Sequence, residues 1–409
     1  MRLMVYSHDG FGLGDIRRTL AICEYLLSTI PGLSILLVAS SPMVQEFRLP
    51  ARLDYIKLPC LKRGEDSTLS AQDLGTEADA ALQFRADLIL SATAHFKPDL
   101  VMVDKKPYGI NHELKKTLDY LHTERPETKL LLLLRDILDS PEATIADWQN
   151  NGYYEAVKRC YSKVLVVGIP EVFDVCQKYQ FPRAIARKTH YCGYIRRPAG
   201  RKTVSQVRRE LNLSAGDSFV LVTPGGGEGG FSLVETYLAG LAQLPQPPSF
   251  RSLIVCDPEM PKAQRRALRK MAASYPLVQM GEFTDDLMSY LAAADATVSM
   301  GNYNILCEIL SAGKRAVVVP HSQEQLIRAA RLARLGLFKA IHPERLTPEN
   351  LMRALQMQLN HDRLAPCLRL DLNALPRITH HIAQLMQPCK PTANITYLPS
   401  RETVLVGNG

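Results

Sequence analysis

Unbroken apolar runs of four or five residues alternate with longer stretches of helical spacing along most of the chain. Runs at 3–6, 35–39, 100–103, 130–134 and 164–167 read as strands, with helical period at 17–27 and 114–121 between them. Strands that are apolar throughout, rather than at every second position, belong in a parallel sheet covered by helices on both faces. The first half is therefore expected to be a doubly wound α/β domain. The alternation stops at Gly193-Tyr194-Ile195-Arg196-Arg197-Pro198-Ala199-Gly200, which has no sustained period and reads as a linker. It resumes with strands at 219–222, 252–256, 296–299 and 316–319, and helices at 204–211, 231–241, 261–273, 287–293, 305–312 and 323–335. The expectation is an α/β chain of two Rossmann-like, doubly wound domains, 1–195 and 196–370. They face a cleft at the carboxyl ends of their sheets, where such sheets bind ligands. A helix at 376–386 and a tail make up 371–409.

Composition adds bounds. The 409 residues, 46% hydrophobic and 22% charged, describe an ordinary globular chain with room for two cores. No run approaches the ~18 apolar residues of a membrane span. Polar Ser7-His8-Asp9 follow the first strand at once, against a signal peptide, so a cytoplasmic location is expected. Nine cysteines, at 23, 60, 160, 176, 192, 256, 307, 367 and 389, form no CxxC pair. Neither a zinc site nor a disulfide framework is expected. The formal charge of +8 suits a phosphorylated small molecule, a nucleic acid or an acidic membrane surface, and solubility alone accounts for it equally.

Three segments follow strands and open helices. The first runs Ser7-His8-Asp9-Gly10-Phe11-Gly12-Leu13-Gly14-Asp15-Ile16-Arg17-Arg18. Its glycines let a ligand approach backbone N–H groups, and the helix start adds partial positive charge, so an anion or oxyanion belongs here. Asp15 reads equally as a helix cap. The third glycine of a GxGxxG fingerprint is replaced by Arg17, which disfavours a dinucleotide dehydrogenase. The second segment, Thr223-Pro224-Gly225-Gly226-Gly227-Glu228-Gly229-Gly230-Phe231, reads as a phosphate cradle, or else as a flexible loop. It lacks the Lys-Ser/Thr of a P-loop. In the third, Ser299-Met300-Gly301-Asn302-Tyr303-Asn304-Ile305-Leu306-Cys307-Glu308, a strand ends at a glycine and Glu308 lies about one turn into the next helix. A carboxylate there suits the paired hydroxyls of a ribose. Pro320-His321-Ser322-Gln323-Glu324-Gln325 end the following strand and face the same cleft.

In this order and placement the segments resemble the GT-B glycosyltransferases, in particular MurG-like (family 28-like) transferases, over roughly residues 1–370. A nearer resemblance is to predicted glycosyltransferases with Gly-Leu-Gly and paired arginines near the N-terminus, here Gly12-Leu13-Gly14 and Arg17-Arg18. They also carry Arg135-Asp136-Ile137-Leu138-Asp139, and Gln323-Glu324-Gln325-Leu326-Ile327-Arg328-Ala329 after Cys307-Glu308-Ile309-Leu310. The resemblance implies transfer of a sugar from a nucleoside-diphosphate sugar, with UDP expected, to an acceptor hydroxyl, by inversion and without metal or other cofactor. It implies that Gly225, Gly226, Gly227, Gly229, Gly230, Gly301 and Asn304 line the donor site. Glu308 then holds the ribose, and Glu324 and Gln325 hold sugar hydroxyls. Gly12, Gly14, Arg17 and Arg18 face the acceptor. A lipid-linked or phosphorylated acceptor and peripheral contact with the inner face of a membrane are expected partners, and nucleic acid is not.

Two departures stand out. Asp15 occupies the place of a MurG-type His, and Asn302 and Ile305 replace a glycine and a hydroxyl residue. The candidate bases are Asp15, then Asp136, then His8. A catalytically inactive nucleotide-sugar binder and a UDP-sugar 2-epimerase are the competing readings. Lys262, Arg265, Arg266, Arg269 and Lys270 share a helical face that reads as solvated, or as one meeting an anionic membrane.

Overall fold

The computed structural model describes residues 1–8, 13–63, 69–71, 78–225, 229–245, 248–256, 260–281, 284–360 and 370–387. In the first half, strands β1 (Arg2–Tyr6), β2 (Ser34–Ala39), β3 (Leu53–Lys57), β4 (Leu100–Asp104), β5 (Lys129–Arg135), β6 (Lys163–Val167) and β7 (Thr189–Tyr191) form one parallel sheet. Their order is β3-β2-β1-β4-β5-β6-β7. In the second half, β8 (Ser218–Thr223), β9 (Phe250–Val255), β10 (Val278–Gly281), β11 (Ala296–Ser299), β12 (Arg315–Val318) and β13 (Lys339–Ala340) form a second. The order is β10-β9-β8-β11-β12-β13. Each order reverses at its first strand, beside β1 in one sheet and β8 in the other, so each sheet has a switch-point crevice at its carboxyl edge.

The central strands are those that the apolar runs predict. Every residue of β4 is buried, as are the five leucines of β5. The strands of these two sheets that the pattern missed, β3, β7, β10 and β13, are their four edges. They are short or half-exposed and carry no continuous apolar run. The pattern also missed the helix Ala78–Phe96, whose buried stripe includes Arg85.

Five helices position the candidate site: α1 (Leu13–Thr29), α2 (Gly229–Ala242), α3 (Tyr303–Ser311), α4 (Gln323–Arg334) and α5 (Ala374–Met386). The first four open at carboxyl edges of strands. Helix α5 returns to the first half. Lys163 at the start of β6 donates to Gln384 Oε1 at 2.8 Å and lies 3.1 Å from His381 Nδ1. Where the chain crosses back, Tyr194 N donates to Asp371 O (2.7 Å) and Ala374 N to Tyr194 O (3.1 Å). Gly193 makes that crossing possible. Its φ is +84°, and a Cβ there would stand 2.8 Å from Asp371 O.

Among the described residues the cysteines are free thiols, and burial pushes Cys23 and Cys192 up to about 12. No described helix is long and apolar enough to cross a membrane.

Candidate functional site

The second-domain crevice is built from two strand ends. After β8 the chain turns through Pro224 and Gly225, with φ +76° at Gly225, and α2 starts at Gly229. After β11, Met300 and Gly301 lead into α3. Gly301 has φ +78°, and a Cβ there would sit 2.3 Å from Val318 Cγ1 of β12, so only glycine fits. Asn302 caps α3, its side chain accepting from Ile305 N at 3.0 Å. Ile305 therefore contributes its backbone N–H to the cap and its side chain to the core, which accounts for both departures at this loop. Asn302 Nδ2 also lies 2.9 Å from where a Gly225 Cβ would stand, and the His321 ring 2.8 Å from that of Gly229. Gly225, Gly229, Gly230 and Gly301 thus converge where two helices begin. Gly226 and Gly227 lie outside the described residues.

Glu308 is buried at the back of this crevice. Its Oε1 is 3.9 Å from Arg17 Nη1, and its Oε2 is buried with no hydrogen-bond partner. A buried carboxylate oxygen left without a partner is an unmet acceptor that calls for an explanation. The nearby polar groups come from the other half or from the linker. Arg17 of α1 donates to Thr284 O (3.3 Å), and Arg197 donates to Asn304 Oδ1 (3.0 Å) and to Arg17 O (3.3 Å). Arg17, which the resemblance sets toward the acceptor, reaches Glu308 and Thr284 of the second half, and Asn304 is held by the linker.

Behind the crevice the halves are joined by buried ions. Arg328, on the second turn of α4, contacts both Asp136 oxygens at 3.0–3.2 Å and donates to Ile137 O at 3.2 Å. Asp136 also accepts from Tyr194 Oη (2.8 Å) and from Ile137 N (2.7 Å). Both side chains are essentially unexposed, at 1% and 0%. Asp136 is therefore not the proton acceptor offered as an alternative to Asp15. It has no opening to a substrate, and its oxygens are filled. Arg18 likewise does not meet an acceptor. It is wholly buried, and its Nη2 bonds both oxygens of Asp104, at 2.8 and 2.7 Å. Its guanidinium also lies 6.0 Å from the Tyr303 ring centre, with that of Arg328 at 5.5 Å. Tyr303 Oη donates to Val167 O, another bond between the halves (3.1 Å).

Glu324, in the first turn of α4, accepts from Arg328 Nη2 at 2.7 Å and lies 3.8 Å from Arg135 Nη1. Burial pushes its carboxyl up, but Arg328, Arg135 and Lys105 outweigh that and hold it below the usual carboxylate range. Gln325 spends its side-chain carbonyl on the capping box of Ser322 and on His321 N (2.8 Å). His8 is half-buried, just past β1. Asp15 and Gly14 fall in the first turn of α1, the Asp15 side chain and Gly12 lying outside the described residues. Sequence reasoning overlooked Arg328, Arg197, Tyr194 and Tyr303. The signal available was the Glu324–Arg328 spacing of four, which puts both on one helix face.

The comparisons agree with this architecture. Residues 219–367 match the family model described as glycosyltransferase family 28 C-terminal domain. An uncharacterized glycosyltransferase of Methanopyrus kandleri is 24% identical over 208 residues, 50% of this chain and 56% of its own. A UDP-N-acetylglucosamine–N-acetylmuramyl-(pentapeptide) pyrophosphoryl-undecaprenol N-acetylglucosamine transferase of Haemophilus influenzae is 26% identical over 113 residues, 27% and 32% of the two chains. The chain thus spans about half, or less, of the length of these relatives. Among solved structures, Acinetobacter baumannii MurG aligns at TM-score 0.56 and 17% identity over 94% of this chain and 98% of its own. A putative UDP-N-acetylglucosamine 2-epimerase from Listeria monocytogenes aligns at 0.63 and 12% over 95% and 98%. The fold is the two-domain GT-B arrangement that the sequence led us to expect.

Proposed function

We propose that this GT-B chain, similar over residues 219–367 to the family 28 C-terminal domain, is a glycosyltransferase acting on a nucleoside-diphosphate sugar, with UDP as the nucleotide. The observation that carries the reading is the buried, unpartnered Oε2 of Glu308, set behind two glycine turns at helix starts. A ribose offers two hydroxyl donors to such a carboxylate. The diphosphate would lie toward the starts of α2 and α3, where N–H groups and helix dipoles favour negative charge. That charge grows on the leaving group during transfer, so fixed donors there stabilise the transition state without a metal ion.

An acceptor hydroxyl attacks the anomeric carbon, its proton passes to a base, and the nucleoside diphosphate departs, which inverts the centre. With Asp136 sealed in the interface, Asp15 is the proposed base, and His8, just past β1, is the alternative. A lipid-linked or phosphorylated acceptor, taken at a membrane surface, follows the chemistry named for the Haemophilus relative. The donor crevice alone would serve a UDP-sugar 2-epimerase equally. Transfer is preferred because the family match lies in the donor half and names a transferase family.

The test is a screen of nucleotide sugars for released nucleoside diphosphate, paired with calorimetric titration by UDP, ADP and GDP. Wild-type indifference to every nucleoside diphosphate sinks the proposal. Conversion of UDP-N-acetylglucosamine to its epimer without acceptor, followed by NMR, transfers it to the epimerase reading.

A further inference from the structure

Two sequence segments far apart in the chain meet as a matched pair. One is Arg135-Asp136 at the end of β5 in the first half. The other is Glu324 and Arg328, one helical turn apart on α4 in the second. Asp136 takes Arg328, and Arg135 faces Glu324. The two ion pairs differ in depth. Asp136 and Arg328 are sealed, whereas Arg135 and Glu324 lie at the rim with 12% and 16% of their side chains exposed. The inner pair fastens α4 to the first half, and the outer pair keeps partial contact with solvent.

We propose that Arg135 is a positioning residue for donor-sugar recognition, holding the Glu324 carboxylate from across the domain interface. The proposal rests on the donor reading above. Lys105, just past β4, adds its charge, but both cations in ion-pair contact with Glu324 belong to the end of β5 or are fixed by it. Arg328 holds one carboxylate oxygen at 2.7 Å and is itself held by Asp136 and Ile137 O. Arg135 stands 3.8 Å from the other. An ionised carboxylate has about four lone-pair sites, so two ion pairs leave acceptors for sugar hydroxyls. Without Arg135, the glutamate keeps one anchor and regains rotamers that sugar binding must freeze. The first domain thereby takes part in reading a sugar that the second domain carries.

The experiment is calorimetric titration of wild type, Arg135→Ala and Arg135→Lys with UDP and with UDP-N-acetylglucosamine. UDP lacks the transferred sugar, the part proposed to meet Glu324, so its affinity should agree within about twofold in all three proteins. The nucleotide sugar should bind Arg135→Ala about tenfold more weakly than wild type, with Arg135→Lys recovering part of the loss. Equal loss of both ligands in Arg135→Ala indicates general damage and overturns the proposal, as does loss of neither. A wild type that binds UDP yet gains nothing from the sugar overturns this inference alone. A wild type that does not bind UDP overturns the donor reading, and this inference with it.

Discussion

Arg328 and Asp136, 192 positions apart in the chain, form a bidentate ion pair from which solvent is excluded. It joins the two Rossmann-like halves directly behind the cleft, and it turns a carboxylate that looks catalytic in the sequence into a fastening.

Removing one partner leaves the other charged, buried and unmatched. Asp136→Ala is therefore expected to lower stability by about 3–5 kcal/mol, read as a shift in the urea midpoint. Asp136→Asn keeps an acceptor for Tyr194 and should cost less. If Asp136→Ala abolished turnover with an unchanged urea midpoint, Asp136 would be a base after all.

Glu308→Gln should behave in the opposite way. Its Oε2 satisfies nothing in the fold, and its one ion pair, to Arg17, is long at 3.9 Å. Stability should stay within about 0.5 kcal/mol of wild type, while UDP binds about tenfold more weakly for loss of a charged acceptor. A thermal midpoint that drops with unaltered UDP affinity would assign Glu308 to the scaffold instead.

Gly301→Ala should destabilise by about 1–3 kcal/mol. It forces a left-handed φ on alanine and drives a methyl into Val318 of β12. The crevice should suffer with it, so folded protein recovered at low temperature should bind UDP poorly. Normal stability in thermal melts would contradict the geometry at this turn.

The last helix carries an acid-sensitive contact. Burial, followed by the charges of Lys163, His190 and His380, lowers His381 from 6.5 to about 4. The folded state thus prefers neutral His381, while the unfolded chain protonates near 6.5. Below that pH the unfolded state binds more protons, so stability is full above about 6.5 and is lost as pH falls toward about 4. Protection factors of the α5 amides, which correct for slower intrinsic exchange in acid, should fall over that window. His381→Gln should flatten the dependence, and an unchanged profile in that variant would place the sensitive group elsewhere.

Much of the fold was legible because central parallel strands must be apolar on both faces, as β4 and β5 are. Edge strands such as β3, with Asp54 and Lys57, escape that rule. Glycine turns were legible too, because a turn at a strand end leaves a local mark, as at Gly301. What sequence order hides is pairing at a distance. Nothing local distinguishes Arg17, which crosses to Glu308, from Arg18, which turns inward to Asp104. Nothing beside Asp136 announces Arg328. Asn302 looked like a defect in a phosphate loop and is a helix cap, a role its side chain suits but that only the position of the helix start reveals.

The return of α5 to the first half makes residues between Ile195 and Asp371 an insertion, entering and leaving by adjacent, hydrogen-bonded passes of chain. A module hung on two parallel cords swings about one line and resists being wrung around it. Two adjacent passes constrain twisting between the halves more than a single pass would, so the two crevices are held in register by the double crossing as well as by the Asp136–Arg328 pair.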